Sequence, residues 1–182
     1  MITKRDPAAW TRASFPTEDA YLVHLSGDDR RTIVDAIRQL RERGRLNDPV
    51  ETLTKDEFAF GALAGTFAAA YEDVRSGRGF TIMRRLPLDD QLTLDEFRAA
   101  VWGIGLHFGG RMLSQNASGE LITEVIDATA NDPTPRMYRS NVELRLHTDI
   151  TDMLSLACWY TAQSGGRSTI GTSEQSIRAI GS

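Results

Sequence analysis

Apolar residues recur at helical spacing in three segments before residue 107, namely residues 26–44, 54–74 and 93–106. Ser26 can cap the first segment and Gly44 can end it, and Thr-x-x-Glu capping boxes open the other two. The periodic positions of the first segment are Ile33, Val34, Ile37 and Leu40. The pattern predicts three amphipathic helices.

Shorter apolar and β-branched runs have the character of strands. Three of them cover residues 21–25, 80–86 and 120–127. Residues 142–149 alternate between apolar and polar side chains, and residues 153–161 are nearly continuously apolar, as in a strand that is covered on both faces. We therefore predict an α+β protein in which a helical N-terminal region precedes an antiparallel β core.

Composition narrows the class of protein without identifying a function. The 182 residues carry a net charge of −4, which gives no electrostatic footprint for nucleic acid, and we interpret the arginines of the first helix as its solvent face. No apolar signal core or membrane-length apolar run is present, and the single cysteine excludes an internal disulfide. We expect a cytoplasmic protein with no nucleic-acid or membrane partner, and a buried structural thiol at Cys158 in the apolar run "LSLACWY".

Candidate chemistry lies in the alternating segment "ELRLHTD". In an extended strand His147 and Asp149 point to the same face, so an imidazole and a carboxylate stand side by side. These are two of the three ligands of the 2-His-1-carboxylate triad that holds Fe(II). The alternative is an amphipathic strand whose polar face meets solvent. Of the other two histidines, His24 has the setting of a structural residue, and His107 lies at a helix end, where it could also reach a cleft.

Five blocks then occur in a recognisable order: "GRGFTIMRRLPL", "WGIGLHFGG", "SQNASGELITEVID", "YRSNVELRLHTD" and "SLACWYTAQSGGRS". Together, over residues 77–168, they resemble the TauD/TfdA family of Fe(II)/2-oxoglutarate-dependent dioxygenases. The resemblance implies a double-stranded β-helix, or jelly roll, with iron at one mouth. It also implies a reaction in which O₂ and 2-oxoglutarate hydroxylate a small-molecule substrate.

The resemblance assigns roles to particular positions. His147 and Asp149 match the first two iron ligands, and Ser168 matches a Ser/Thr that helps to hold the 2-oxoglutarate co-substrate. The positions that would line the substrate pocket are His107, Asn116, Tyr138 and Asn141.

The second half of such a site has no counterpart in the sequence. No histidine follows His147, and the arginines after Asp149 are Arg167 and Arg178, which do not match the position of the family's 2-oxoglutarate arginine. We therefore expect a helical lead-in at residues 1–76 and an apparently truncated, N-terminal part of the jelly roll at residues 77–182, inactive alone. The residues that could supply a substitute ligand are Asp127, Asp152 and His107. Two alternatives remain open: a non-catalytic module that binds a small acid or a partner protein, and a split enzyme completed by a second copy or by a C-terminal chain.

Overall fold

The computed structural model describes residues 7–88, 91–109, 112–114, 119–129, 139–140, 142–149, 151–161, 164 and 167–171. Within this part of the chain three α-helices and two short strands are present. In chain order they are β1 (Leu22–His24), α1 (Gly27–Glu42), α2 (Leu63–Ser76), β2 (Ile82–Arg84) and α3 (Leu94–His107). Short 3₁₀ turns connect several of them.

Helix α1 confirms the first predicted helix, including both of its ends. The Ser26 hydroxyl accepts a hydrogen bond from the Asp29 backbone N–H, and the Asp29 carboxylate accepts one in return from the Ser26 N–H, which is a reciprocal cap. Gly44 takes a left-handed conformation (φ 73°) just beyond the helix, where a residue without a Cβ avoids strain. The buried positions are Ile33, Ala36, Ile37 and Leu40.

The second helix begins later than the sequence predicts. The capping box at Thr54 forms, but it closes only the 3₁₀ turn Lys55–Glu57, and α2 starts at Leu63. Phe58 and Phe60 explain the difference, because both are buried although they are two residues apart. Side chains at that spacing cannot share a helical face, so the chain between the turn and α2 stays non-helical.

Helix α3 confirms the third predicted helix and forms the centre of the core. Thr93 caps it through a reciprocal bond with Glu96. The indole N–H of Trp102 donates a 3.0 Å hydrogen bond to the carbonyl of Leu53, which fixes the loop before α2 against the helix. Helices α1 and α2 both contact α3, so the three helices share one apolar core.

Glu96 joins α1 to α3 through a carboxylate that is almost fully buried. The Arg41 guanidinium, on α1, donates to it, with Nε 2.7 Å from Oε1. Burial raises the pKa of Glu96, but the hydrogen bonds from the Thr93 N–H and from Arg41 outweigh that effect and leave the pKa below its ordinary value. Arg41 is therefore more than part of a solvent face: it neutralises a buried acid.

Strands β1 and β2 confirm two predicted strands, although each is shorter than expected. They pair in parallel with Leu22 opposite Ile82. A parallel pair needs a crossover, and here α1, the turns and α2 form that crossover. The pairing also joins residues on both sides of position 76, where the sequence suggests a domain boundary.

The predicted antiparallel core stays a prediction. Residues 120–127, 142–149 and 153–158 have no strand pairing with any described residue. The expectation that residues 153–161 are covered on both faces is wrong for Leu156 and for Cys158, both of which are exposed. A run of apolar residues predicts burial only if another layer covers it, and no described residue supplies that layer here.

Candidate metal site

His147 is exposed and has one ring nitrogen engaged. Its Nδ1 lies 2.7 Å from the carbonyl oxygen of Arg145. A carbonyl oxygen can only accept, so Nδ1 carries the hydrogen and, in the neutral ring, Nε2 keeps its lone pair. A backbone carbonyl that holds the N–H of a histidine is a usual arrangement behind a metal-ligating imidazole, because it fixes both tautomer and ring orientation.

Asp149 is also exposed and has no ion-pair or hydrogen-bond partner among the described residues. A carboxylate without a described partner, two residues from a histidine with an available Nε2, fits part of an Fe(II) donor set in chemical type. The number of ligands, however, is too small for a complete site. Within the described ranges, no group of three or more His, Cys, Asp and Glu side chains could hold a metal ion.

The substitute ligands suggested by the sequence do not complete the pair. Asp127 is engaged locally, since its carboxylate accepts from the Thr129 backbone N–H at 3.0 Å and from the Thr129 hydroxyl at 2.6 Å. Those two hydrogen bonds lower the pKa of Asp127. Asp152 is exposed, and it forms no such group of three with other described residues.

His107 lies in the helical core. It is the last residue of α3, as the sequence predicts, and its Nδ1 donates a 2.7 Å hydrogen bond to the Gly103 carbonyl. The rings of Phe60 and Phe67 lie 5.1 and 6.0 Å from the imidazole, centroid to centroid. With 9% of its surface exposed, this histidine packs as an aromatic side chain of the core.

Only some of the remaining candidate residues lie in the described part of the chain. Ser168 is exposed, and no described contact joins it to His147 or Asp149. Asn116, Tyr138 and Asn141 lie outside the described residues. The third histidine, His24, is about half exposed, with Nε2 3.3 Å from the Asp19 carboxylate.

Among the described residues, several contacts connect the chain on either side of the candidate site to the helices. The Trp159 ring lies 5.1 Å from the Phe97 ring of α3, and Arg98 of α3 forms an ion pair with Glu124. Leu121 and Ile122 also pack against the core. Trp159 was not predicted as an anchor; its place in an apolar run next to Tyr160 is the signal that could have marked it as one.

None of the helices in the described part of the chain has the length and apolar character needed to cross a membrane.

Comparison with known proteins gives a distant relation. No family model matches the chain. The chain is 26% identical over 162 residues to FR-33289 synthase of Streptomyces rubellomurinus (strain ATCC 31215). The match covers 87% of this chain and 46% of that protein, so the chain spans about half the length of this relative. The chain is thus distantly related to an enzyme that is named as a synthase.

Proposed function

We propose that this chain is the iron-binding N-terminal half of a non-haem Fe(II)/2-oxoglutarate-dependent oxygenase that acts on a small molecule. The observation that carries the proposal is the exposed His147–Asp149 pair, in which both donors are without a competing described partner. The order of the five sequence blocks and the distant relation to a synthase support it.

The chain's own residues would have limited and distinct roles. His147 would bind the metal through Nε2, with its ring held by the Arg145 carbonyl, and Asp149 would add an anionic oxygen on the same side. Ser168 would contribute a hydroxyl to the site of 2-oxoglutarate. Bound Fe(II), with 2-oxoglutarate as co-substrate, supplies O₂-dependent oxidation of a C–H bond.

A third ligand and a cationic partner for the 2-oxoglutarate carboxylate would come from residues outside this chain. Two ligands alone hold Fe(II) weakly, and a dicarboxylate without an arginine loses its strongest hydrogen bonds. We therefore expect weak metal binding by the chain alone and no turnover.

Metal-directed cleavage tests the assignment without needing a complete site. Anaerobic protein loaded with Fe(II) and then exposed to ascorbate and peroxide should be cut close to residues 147–149, as mapped by mass spectrometry. His147→Ala and Asp149→Ala should each remove the cut, whereas His24→Ala, which changes another exposed histidine, should leave it. Cleavage that survives His147→Ala would refute the proposed ligands.

A titration of the same protein with Fe(II) and 2-oxoglutarate reports on completion of the site. Without a third ligand, we expect no visible metal-to-ligand charge-transfer band from the chain alone. A strong band that His147→Ala abolishes would show that another group in this chain or a second copy completes the site.

A second candidate function is a partner-binding module. It is favoured by the exposed apolar side chains Val142, Leu144, Leu146, Leu154 and Leu156. Absence of any metal-directed cut near residue 147 in folded protein would favour this alternative.

A further inference from the structure

Residues 143–145 present backbone groups that no backbone group of another described residue pairs. They lie between bends at residues 142 and 146, in no helix, turn or strand pairing with described residues, and the Arg145 carbonyl accepts one hydrogen bond, from the His147 ring. The apolar side chains that alternate along this segment are exposed: Val142 by 62%, Leu144 by 44% and Leu146 by 65%. An unpaired edge with exposed apolar side chains is a template for another strand.

The sequence of this segment is complementary to itself in one antiparallel register. If Leu144 lies opposite Leu144 of a second copy, Val142 lies opposite Leu146, and Glu143 lies opposite Arg145. Directly opposed side chains have Cβ atoms about 4.5–5.5 Å apart on the same face of the ribbon. Each copy therefore gains apolar pairs on one face and opposite charges on the other.

Neighbouring registers lack this complementarity. Centring the pair on Glu143 or on Arg145 places like charges directly opposite one another, which destabilises a strand pair. Centring it on Leu146 brings Glu143 opposite Asp149, again with like charge. A shift by one residue places apolar side chains opposite polar ones.

Both charged residues are available for such a contact. Neither Glu143 nor Arg145 forms an ion pair with any described residue, in contrast to the arginines of α1 that pair with nearby acids.

We propose that a second copy of this chain docks on the edge at residues 142–146, through an antiparallel strand pair with Leu144 on the twofold axis. The pairing is isologous, so both copies use the same surface and the assembly closes as a dimer. A two-stranded ribbon is only marginally stable in water, and the association is correspondingly weak. The dimer goes beyond the proposed oxygenase function and does not depend on iron.

Charge reversal with rescue tests the pairing by sedimentation velocity over a concentration series. The wild-type chain should show a monomer–dimer equilibrium. Glu143→Arg alone, or Arg145→Glu alone, replaces both attractive pairs by repulsive ones and should weaken association by about tenfold or more. The double variant restores opposite charges in exchanged positions and should recover dimerisation. Glu51→Arg, an exposed reversal elsewhere, should have no effect.

Disulfide trapping tests the register in a Cys158→Ser background. Leu144→Cys should cross-link two chains under mild oxidation, because residues opposite themselves have Cα atoms about 4.5–5.5 Å apart, within reach of a disulfide. Val142→Cys is the matched control: two copies of residue 142 lie about 13 Å apart in this register and should not cross-link. A chain that stays monomeric at its highest soluble concentration, or a dimer insensitive to both single reversals, would overturn the proposal.

Discussion

Gly103 offers the sharpest test of how the core is packed, because two opposing effects act at one position. It lies in α3, where replacing glycine by alanine normally stabilises a helix by about 1 kcal/mol. A Cβ at this position would, however, lie 2.5 Å from Cε1 and 2.7 Å from Cγ of Phe58. Those are distances that real Cβ atoms do not adopt, so the ring or the helix would have to move.

The Phe58 ring has little freedom to move. It is 4% exposed and stacks on Phe60, with ring centroids 5.6 Å apart and planes 29° apart. Overpacking of this kind costs about 1–3 kcal/mol. After subtracting the gain in helix propensity, we expect Gly103→Ala to lower the free energy of unfolding by about 0–2 kcal/mol.

Gly105 provides a control because it lies in the same helix. Gly105→Ala gains the same helix propensity as Gly103→Ala, so comparing the two variants removes that contribution. A Cβ there would approach Met112 Cε at 2.5 Å, but this atom is the flexible end of a half-buried side chain. Gly105→Ala should therefore be neutral or stabilising, and the two variants should differ by about 1–3 kcal/mol, which is the overpacking cost itself.

Urea unfolding followed by far-ultraviolet circular dichroism measures both variants. Adding Phe58→Leu to Gly103→Ala should recover part of the loss, and the double-mutant cycle gives the coupling between the two positions. Equal stability of Gly103→Ala and Gly105→Ala would show that the ring of Phe58 does not pack on Gly103.

Two further outcomes follow from polar contacts of the core. Trp102→Phe should lower the free energy of unfolding by about 1–3 kcal/mol, because it leaves the Leu53 carbonyl without its donor; unchanged urea midpoints would contradict this. Glu57 has a pKa of about 2, lowered first by the hydrogen bond from Arg45 and then by the Thr54 N–H. The stabilisation that ionised Glu57 provides should be complete above the unfolded pKa near 4.5 and be lost as the pH falls towards 2. Glu57→Gln should therefore reduce the change in thermal midpoint between about pH 5 and pH 2.

Local signals in the sequence were sufficient for helices α1 and α3. Ser26 and Thr93 cap α1 and α3 through contacts with residues three positions away, so neighbouring residues define both starts. The start of α2 could not be predicted in the same way. It depends on burying Phe58 and Phe60 together against α3, and that requirement comes from tertiary packing.

The candidate site, too, could be predicted from the sequence only where local signals decide it. The i, i+2 spacing of His147 and Asp149 is readable from the sequence, and both side chains are exposed. That His107 is packed between aromatic rings could not be read from its helix-end position, since Phe60 and Phe67 are remote in sequence. For Cys158, an apolar neighbourhood in the chain did not reveal whether a second layer lies over it.

The parallel pairing of β1 with β2 has a consequence for how the chain acquires its structure. Leu22 finds its partner only at Ile82, after both intervening helices. The entropy of closing so long a loop must be offset before the strand contacts contribute, which favours formation of α1 and α2 first. At a synthesis rate of about 5–20 residues per second, β2 would be made about 3–12 s after β1. Until then the backbone edge of β1 is open to other chains, and wrong pairing through β1 can occur in this interval.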